Sequence, residues 1–232
     1  MPSYFLIAAL FCSTGSSHGL IGFPDHRELF AATVKMSTGD RGRATAFVVG
    51  RKNDSLYLLT ADHAVDGATL GTTRFEFAGA KGKEKLSLRG AKAVVRRPIS
   101  DLALLEIPID KAESVSMLAL LPPGTHPKKF PFTGYSLGYS DGGDASLQRE
   151  TLLGKRLAVR REDDVAFFWQ AEQAQARGRS GGPLVDSEGR VIGVCAATSL
   201  GKGYYVHLSE IHAALKIEGF DWLWKTAPTA KR

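Results

Sequence analysis

The sequence predicts an all-β chain built as two six-stranded antiparallel barrels with a short C-terminal helix. Three observations predict it. The apolar runs are short and rich in Val, Leu and Phe, and 25 glycines punctuate the 232 residues. These runs fall into two sets of about six, on either side of a surface crossover from Leu120 to Lys129 that carries three prolines. A helical pattern comes only near the end. Hydrophobic residues make up 44% of the chain, enough for a sizeable core and too many for a disordered chain.

The first residues read as a leader. Tyr4 to Cys12 is apolar but too short to span a bilayer comfortably. Small and polar residues, Ser13 to Gly19, follow it. Residues 1–19 therefore read as a secretory signal, although no Lys or Arg precedes the apolar run. A buried N-terminal strand is the alternative. Export to the periplasm, the cell envelope or the medium is expected, with cytoplasmic residence as the other reading. If the leader is removed, Cys195 is the one cysteine left and no intrachain disulfide forms. Cys195 ends the apolar run Val191 to Cys195 and reads as a buried structural thiol.

The folded region is expected over residues 28–225. The N-terminal barrel covers about 28–120, the C-terminal barrel about 130–208 and the helix 209–217. Asp25 to Ala31 suits a short helix or turn. Ala44 to Gly50 and Ser55 to Thr60 flank the polar turn Arg51 to Asp54 and read as a hairpin. Both are apolar on both faces, as expected inside a closed barrel. Further strands are expected near 73–78, 86–97 and 102–107. In the second half they are expected near 130–136, 151–160, 164–171, 183–186, 190–197 and 203–207. Asp186-Ser187-Glu188-Gly189 suits a hairpin turn. Tyr139 to Glu150 is polar and glycine-rich and reads as a mobile loop. Ser209 is expected to cap the helix, with Ile211, Ala214 and Leu215 on one face and Trp222 and Trp224 packing it down.

The formal net charge is +6, and its basic residues are scattered: Lys81, Lys83, Lys85, Arg96, Arg97, Arg160 and Arg161. No basic stripe interleaved with aromatics occurs, so a solvated surface is expected and a nucleic-acid partner is not.

The chemistry-bearing stretch is Gly178-Arg179-Ser180-Gly181-Gly182-Pro183-Leu184-Val185. It reads as a serine nucleophile in a glycine-rich turn that runs into a strand. The N–H groups of Gly178 and Ser180 suit an oxyanion hole, which needs donors aimed at the oxygen that becomes negative. A serine nucleophile needs a base and an orienting acid. His63, at the end of the strand before it, offers an imidazole that is neutral near pH 7. Asp101, at the mouth of the apolar run Leu102 to Leu105, offers a carboxylate that burial would force to find a partner. An imidazole N–H is such a partner. A strand-end histidine and a turn aspartate are each common without any catalytic role. Their order, His63 and Asp101 in the first half and Ser180 in the second, suits a cleft between two barrels.

These segments resemble the trypsin-like, chymotrypsin-fold serine proteases, closest to the bacterial HtrA/DegP-like type. Thr60-Ala61-Asp62-His63-Ala64-Val65 is similar to that family's histidine motif, and Ser100-Asp101-Leu102-Ala103-Leu104-Leu105 to its aspartate motif. Gln170-Ala171-Glu172 through Val185 is similar to its serine motif. Gly189 to Val194 and Gly203 to Leu208 match the strands that follow. The resemblance covers about residues 30–217. It implies a His63-Asp101-Ser180 triad and an oxyanion hole at Gly178 and Ser180. It also implies a primary pocket lined by Ala174, Gln175 and Ala176 on one wall and Ala196, Ala197 and Thr198 on the other. With no acidic residue at its base, a preference for small to medium apolar side chains is expected rather than Lys or Arg. Polypeptides are the expected partners. No cofactor, no metal and no stable membrane insertion are expected, and the pattern specifies no oligomeric state. The alternatives are an inactive protease-fold binding module and an esterase using the same triad.

The sequence departs from the family at Arg179, which stands where Asp or Asn is usual. No activation ion pair with a freed N-terminus is therefore expected. Arg177 and Arg179 are expected either to bring positive potential to the cleft or to be solvated. No residues are left after about 225 for the PDZ domain that HtrA relatives carry, so assembly through such a domain is not expected.

Overall fold

The computed structural model describes residues 26–37, 42–77, 86–110, 114–161 and 164–225. The leader 1–19 and Cys12 lie outside the described residues, as do Lys81, Lys83 and Lys85.

Among the described residues, thirteen strands form two sheets. The first has seven strands in the order β5-β4-β1-β2-β3-β7-β6. It contains β1 (Thr33–Ser37), β2 (Arg43–Lys52), β3 (Ser55–Thr60), β4 (Arg74–Phe77), β5 (Ser87–Leu88), β6 (Lys92–Arg97) and β7 (Leu102–Pro108). The second is a closed six-stranded barrel, β10-β13-β12-β11-β8-β9. Its strands are β8 (Phe132–Tyr139), β9 (Ala145–Arg161), β10 (Asp164–Ala171), β11 (Pro183–Val185), β12 (Val191–Ser199) and β13 (Lys202–His207). Helix α1 spans His26–Ala32, α2 spans Leu208–Ile217 and α3 spans Trp222–Lys225. All-β architecture in two strand sets with terminal helices is what the sequence predicts. The first sheet has seven strands because the short β1 adds to those expected and the stretch expected as one strand near 86–97 forms two, β5 and β6.

The two-sided apolar strands now have a reason. Side chains alternate across a strand, so each face can feed a different core. Ala44, Ala46 and Val48 of β2 join Leu56 and Leu58 of β3 and Ala103, Leu105 and Ile107 of β7 inside the first sheet. Phe47, Val49, Tyr57, Leu59, Leu102 and Leu104 point the other way. They join Leu137, Trp169, Leu184, Val194, Ile211 and Leu215 in a second core that spans both halves. Strands β2, β3 and β7 thus fix one half against the other.

The crossover is anchored at its start. Leu118, Leu120 and Leu121 are buried, and the Leu121 N–H donates to the Val191 carbonyl at 3.0 Å. The hairpin turn between β11 and β12 forms as expected, with Asp186 Oδ1 accepting the N–H of Glu188 and of Arg190, each at 2.9 Å. Cys195 is buried and free, and burial pushes its thiol up to about 12, which suits a structural thiol.

Two expectations are corrected. The stretch from Tyr139 to Glu150 is not a mobile loop: a one-turn helix at Ser140–Gly142 leads into β9, which pairs with β8 from Tyr139↔Ala145 onward. The glycines and polar residues there serve a tight turn, and Glu150 is buried. The cap of α2 is His207 rather than Ser209. Its ring Nδ1 accepts the N–H of Ser209 at 3.0 Å, leaving the ring proton on Nε2.

That cap has a pH consequence. Burial first, then the charges of Lys155, His126 and His212, pushes His207 down to about 3. Burial pushes His212 down to about 4, with His126 adding to the effect and a ring hydrogen bond donated to the Leu121 backbone carbonyl opposing it. Both values lie below the unfolded value near 6.5. The unfolded chain then binds protons that the folded chain refuses, so stability is full above about pH 6.5 and falls as the pH drops toward 4 and 3. The expected loss at pH 5 is about 2 kcal/mol for each histidine. Urea midpoints at pH 7.5 and pH 5 measure it. His207→Asn keeps a capping acceptor without titrating in this range, and it should lose about half as much. Equal losses in variant and wild type would contradict this account.

Candidate active site

His63 lies on a single 3-10 turn, Asp62–Ala64, that follows β3 directly. Two contacts shape this turn. Asp62 is buried and bound by Arg96 of β6 through both guanidinium arms, Nε to Oδ1 at 2.7 Å and Nη2 to Oδ2 at 2.9 Å. Arg96 is therefore an ion-paired anchor and not part of a merely solvated basic surface. The second contact is with Asp101. The His63 backbone N–H donates to Asp101 Oδ1 at 2.9 Å, and the ring Nδ1 lies 2.8 Å from Oδ2. The carboxylate thus holds both the backbone and the ring of the same residue. Asp101 is 3% exposed and adopts φ +56°, a left-handed conformation that aspartate tolerates better than most residues. The side chain of His63 is 51% exposed.

The serine turn is fixed by the first sheet. The Thr45 N–H donates to the Ser180 carbonyl, and the Thr45 Oγ1 donates to the Gly178 carbonyl, both at 2.8 Å. The same Oγ1 accepts the N–H of Tyr139 at 3.1 Å. Thr60 Oγ1 donates to the Thr45 carbonyl at 2.8 Å. The sequence reading misses Thr45, which sits between Ala44 and Ala46 and carries no local signal of its role. Thr45→Val keeps its shape but leaves the half-buried Gly178 carbonyl and the buried Tyr139 N–H without this partner. It is expected to cost about 2–4 kcal/mol in stability and roughly tenfold or more in turnover. Denaturant midpoints and kcat on one preparation measure both, and no change in either would contradict the bridging role.

Glycine is required at two points of this turn. Gly178 has φ +86°, and a Cβ there would lie 2.3 Å from the Tyr139 carbonyl oxygen. Gly181 has φ +84°, and a Cβ there would lie 2.1 Å from the Thr45 carbonyl oxygen. The Arg177 carbonyl accepts the N–H of Asp141 at 2.8 Å. The peptide is planar and trans, so the Gly178 N–H points the opposite way. Among the described residues, the N–H groups of Gly178 and Ser180 have no hydrogen-bond partner.

The structure also joins the residues expected to line the pocket. Thr198 Oγ1 accepts the Gln175 N–H at 3.0 Å and reaches the Gln175 carbonyl at 3.3 Å. Ala196 is buried, Ala197, Gln175 and Ala176 are half-buried, and Ala174 and Thr198 are exposed. The fold brings Glu150 to this region, which the sequence reading does not foresee: Gln175 Nε2 donates to Glu150 Oε1 at 3.0 Å.

Arg179 is the main correction. It is 1% exposed, so it neither faces the cleft nor is solvated. Its guanidinium turns into the barrel, where Nη2 donates to the carbonyl and Oγ of Ser136, each at 2.8 Å, and Nη1 to Ser146 Oγ at 2.8 Å. Burial lowers its pKa from the ordinary arginine value, against the pull of Tyr205, Cys195 and Glu150. Arg177 is exposed. Among the described residues no group of three or more His, Cys, Asp or Glu side chains is placed to hold a metal ion.

Two strand sets, with an imidazole–carboxylate pair on the first and a glycine-held serine on the second, define the chymotrypsin-like class of fold. The chain belongs to the trypsin-like peptidase domain family, whose sequence model matches residues 44–194. It is 27% identical over 194 residues to a probable periplasmic serine endoprotease, DegP-like, of Chlamydia muridarum; the match covers 80% of this chain and 33% of that protein. The chain thus spans about a third of that relative's length. Among solved structures, it resembles the active form of the Rv3671c protease of M. tuberculosis with a TM-score of 0.68 at 20% identity, covering 94% of each chain. It resembles Deg5 with a TM-score of 0.63 at 21% identity, covering 81% of this chain and 88% of that one. No helix among the described residues is long and apolar enough to cross a membrane.

Proposed function

We propose that the chain is a serine endopeptidase that hydrolyses peptide bonds through a His63-Asp101-Ser180 triad and an acyl-enzyme. The observation that carries this reading is the two-point hold of Asp101 on His63, backbone N–H and ring together. On this reading the hold orients the ring, and the distal ring nitrogen acts as base. In the first half-reaction His63 takes the Ser180 hydroxyl proton as the oxygen attacks the carbonyl carbon. The unengaged N–H groups of Gly178 and Ser180 receive the oxyanion. His63 passes the proton to the leaving amine. Water, deprotonated by His63, then attacks the acyl-enzyme, and the tetrahedral intermediate collapses to free acid as His63 returns that proton to the departing Ser180 oxygen.

Export is part of the proposal: a periplasmic relative and the apolar leader support it. For specificity, the tie between Thr198 and Gln175 draws the two walls together, which favours small to medium apolar side chains. The test is digestion of a denatured protein beside hydrolysis of matched ester and peptide substrates. Fragments cut after small or medium apolar residues, with real peptide turnover, are expected. Dominant cutting after Lys or Arg would overturn the specificity. Ester turnover without peptide turnover would favour the esterase.

A further inference from the structure

Arg179 immediately precedes the nucleophile, and its side chain faces away from it into the barrel. There it joins a second buried charge. Glu150, 3% exposed on β9, accepts three hydrogen bonds on one oxygen, Oε1: from Ser136 Oγ at 2.8 Å, Tyr205 OH at 3.0 Å and Gln175 Nε2 at 3.0 Å. Ser136 Oγ also accepts from Arg179 Nη2 at 2.8 Å, so a single hydroxyl relays the arginine to the carboxylate. The other guanidinium arm is held by Ser146 and the Gly138 carbonyl.

The consequence lies in the chain order. Gln175 and Arg179 are the two ends of one five-residue segment, and both ends are tied to the same buried carboxylate, one directly and one through Ser136. Between them lie the Arg177–Gly178 peptide, its carbonyl on Asp141, and the Gly178 carbonyl on Thr45. A segment pinned at both ends, with its intervening carbonyls engaged, has little freedom to turn the Gly178 N–H away.

On the reading that Ser180 is the nucleophile, we propose that Arg179 and Glu150 are positioning residues. They clamp the segment 175–179 so that the oxyanion-binding amides stand ready without a freed N-terminus or an activating ligand. A buried arginine and glutamate would otherwise be a poor use of core space, since charge burial costs stability even when paired.

The test uses Arg179→Lys and Glu150→Gln, which keep volume and polarity. Lysine loses the planar fork that reaches Ser136 and Ser146 together. Glutamine removes the charge that balances the guanidinium. For each folded variant and the wild type, kcat is measured per titrated active site, together with KM and the inhibition constant of a peptide aldehyde. Ser180 adds to that aldehyde and places an oxyanion-like oxygen at the two amides. A roughly 10- to 100-fold fall in kcat, matched by weaker aldehyde binding with KM within about threefold, is expected for Arg179→Lys, with a smaller shift in the same direction for Glu150→Gln. Folded variants with wild-type kcat and aldehyde affinity would overturn the inference, even if their melting temperatures had dropped. Loss of folding in Arg179→Lys leaves Glu150→Gln to decide on the same readouts. An inert wild type would instead overturn the reading of Ser180 as nucleophile.

Discussion

Replacing Ser180 with Ala is expected to abolish peptide hydrolysis, with a loss on the order of 10^4-fold or more in kcat. The oxygen that forms the acyl-enzyme is gone, and no other group stands in the same turn to replace it. Cys195, the one thiol among the described residues, is buried with its pKa raised, so it supplies no second nucleophile. The substitution removes one half-buried oxygen and leaves the ties of the turn to Thr45 untouched, since these run through backbone atoms of Ser180 and Gly178. Stability should therefore hold within about 0.5 kcal/mol. A melting curve and a peptide assay on the same sample give the result. Activity within tenfold of wild type would contradict the assignment.

Replacing Asp101 with Asn is expected to lower kcat by about 10^4-fold while the fold persists. The carboxylate accepts from two donors on His63, its backbone N–H and its ring Nδ1. An amide offers only one acceptor oxygen. Turned one way, its NH2 group meets the backbone N–H. Turned the other way, it meets Nδ1 and drives the ring proton to the distal nitrogen. That nitrogen can then no longer accept the proton of Ser180. Steady-state kinetics at pH 7 with circular dichroism as a folding control measures this. A loss of less than tenfold would show that Asp101 only caps the turn.

Much of this was legible before the fold was known, and for physical reasons. The three side chains proposed to react sit beside the ends of apolar strands, so motif and strand pattern point to the same places. The two-faced strands β2, β3 and β7 read as fully buried because each of their faces does feed a core. What stayed hidden depends on contacts distant in sequence. Thr45 looks like filler in an apolar strand, yet it joins the serine turn from 133 residues away. Arg179 looks like a surface charge because its partner Ser136 lies 43 residues back, and Ser146 and Glu150 lie in a stretch whose glycines and polar residues imitate a loop. Composition cannot show that β9 begins inside that stretch. His207 stands before Ser209, a stronger capping type, yet it is the His207 ring that accepts the Ser209 N–H.

The most direct test of the central claim is labelling by a fluorophosphonate, which phosphonylates a serine only where a base activates it and amides stabilise the forming oxyanion. Intact mass and peptide mapping of the folded wild type should show one adduct, on Ser180, with fluoride released. Folded Ser180→Ala should show none. Absence of an adduct in the wild type, or the same adduct in Ser180→Ala, would contradict the assignment of Ser180 as an activated nucleophile.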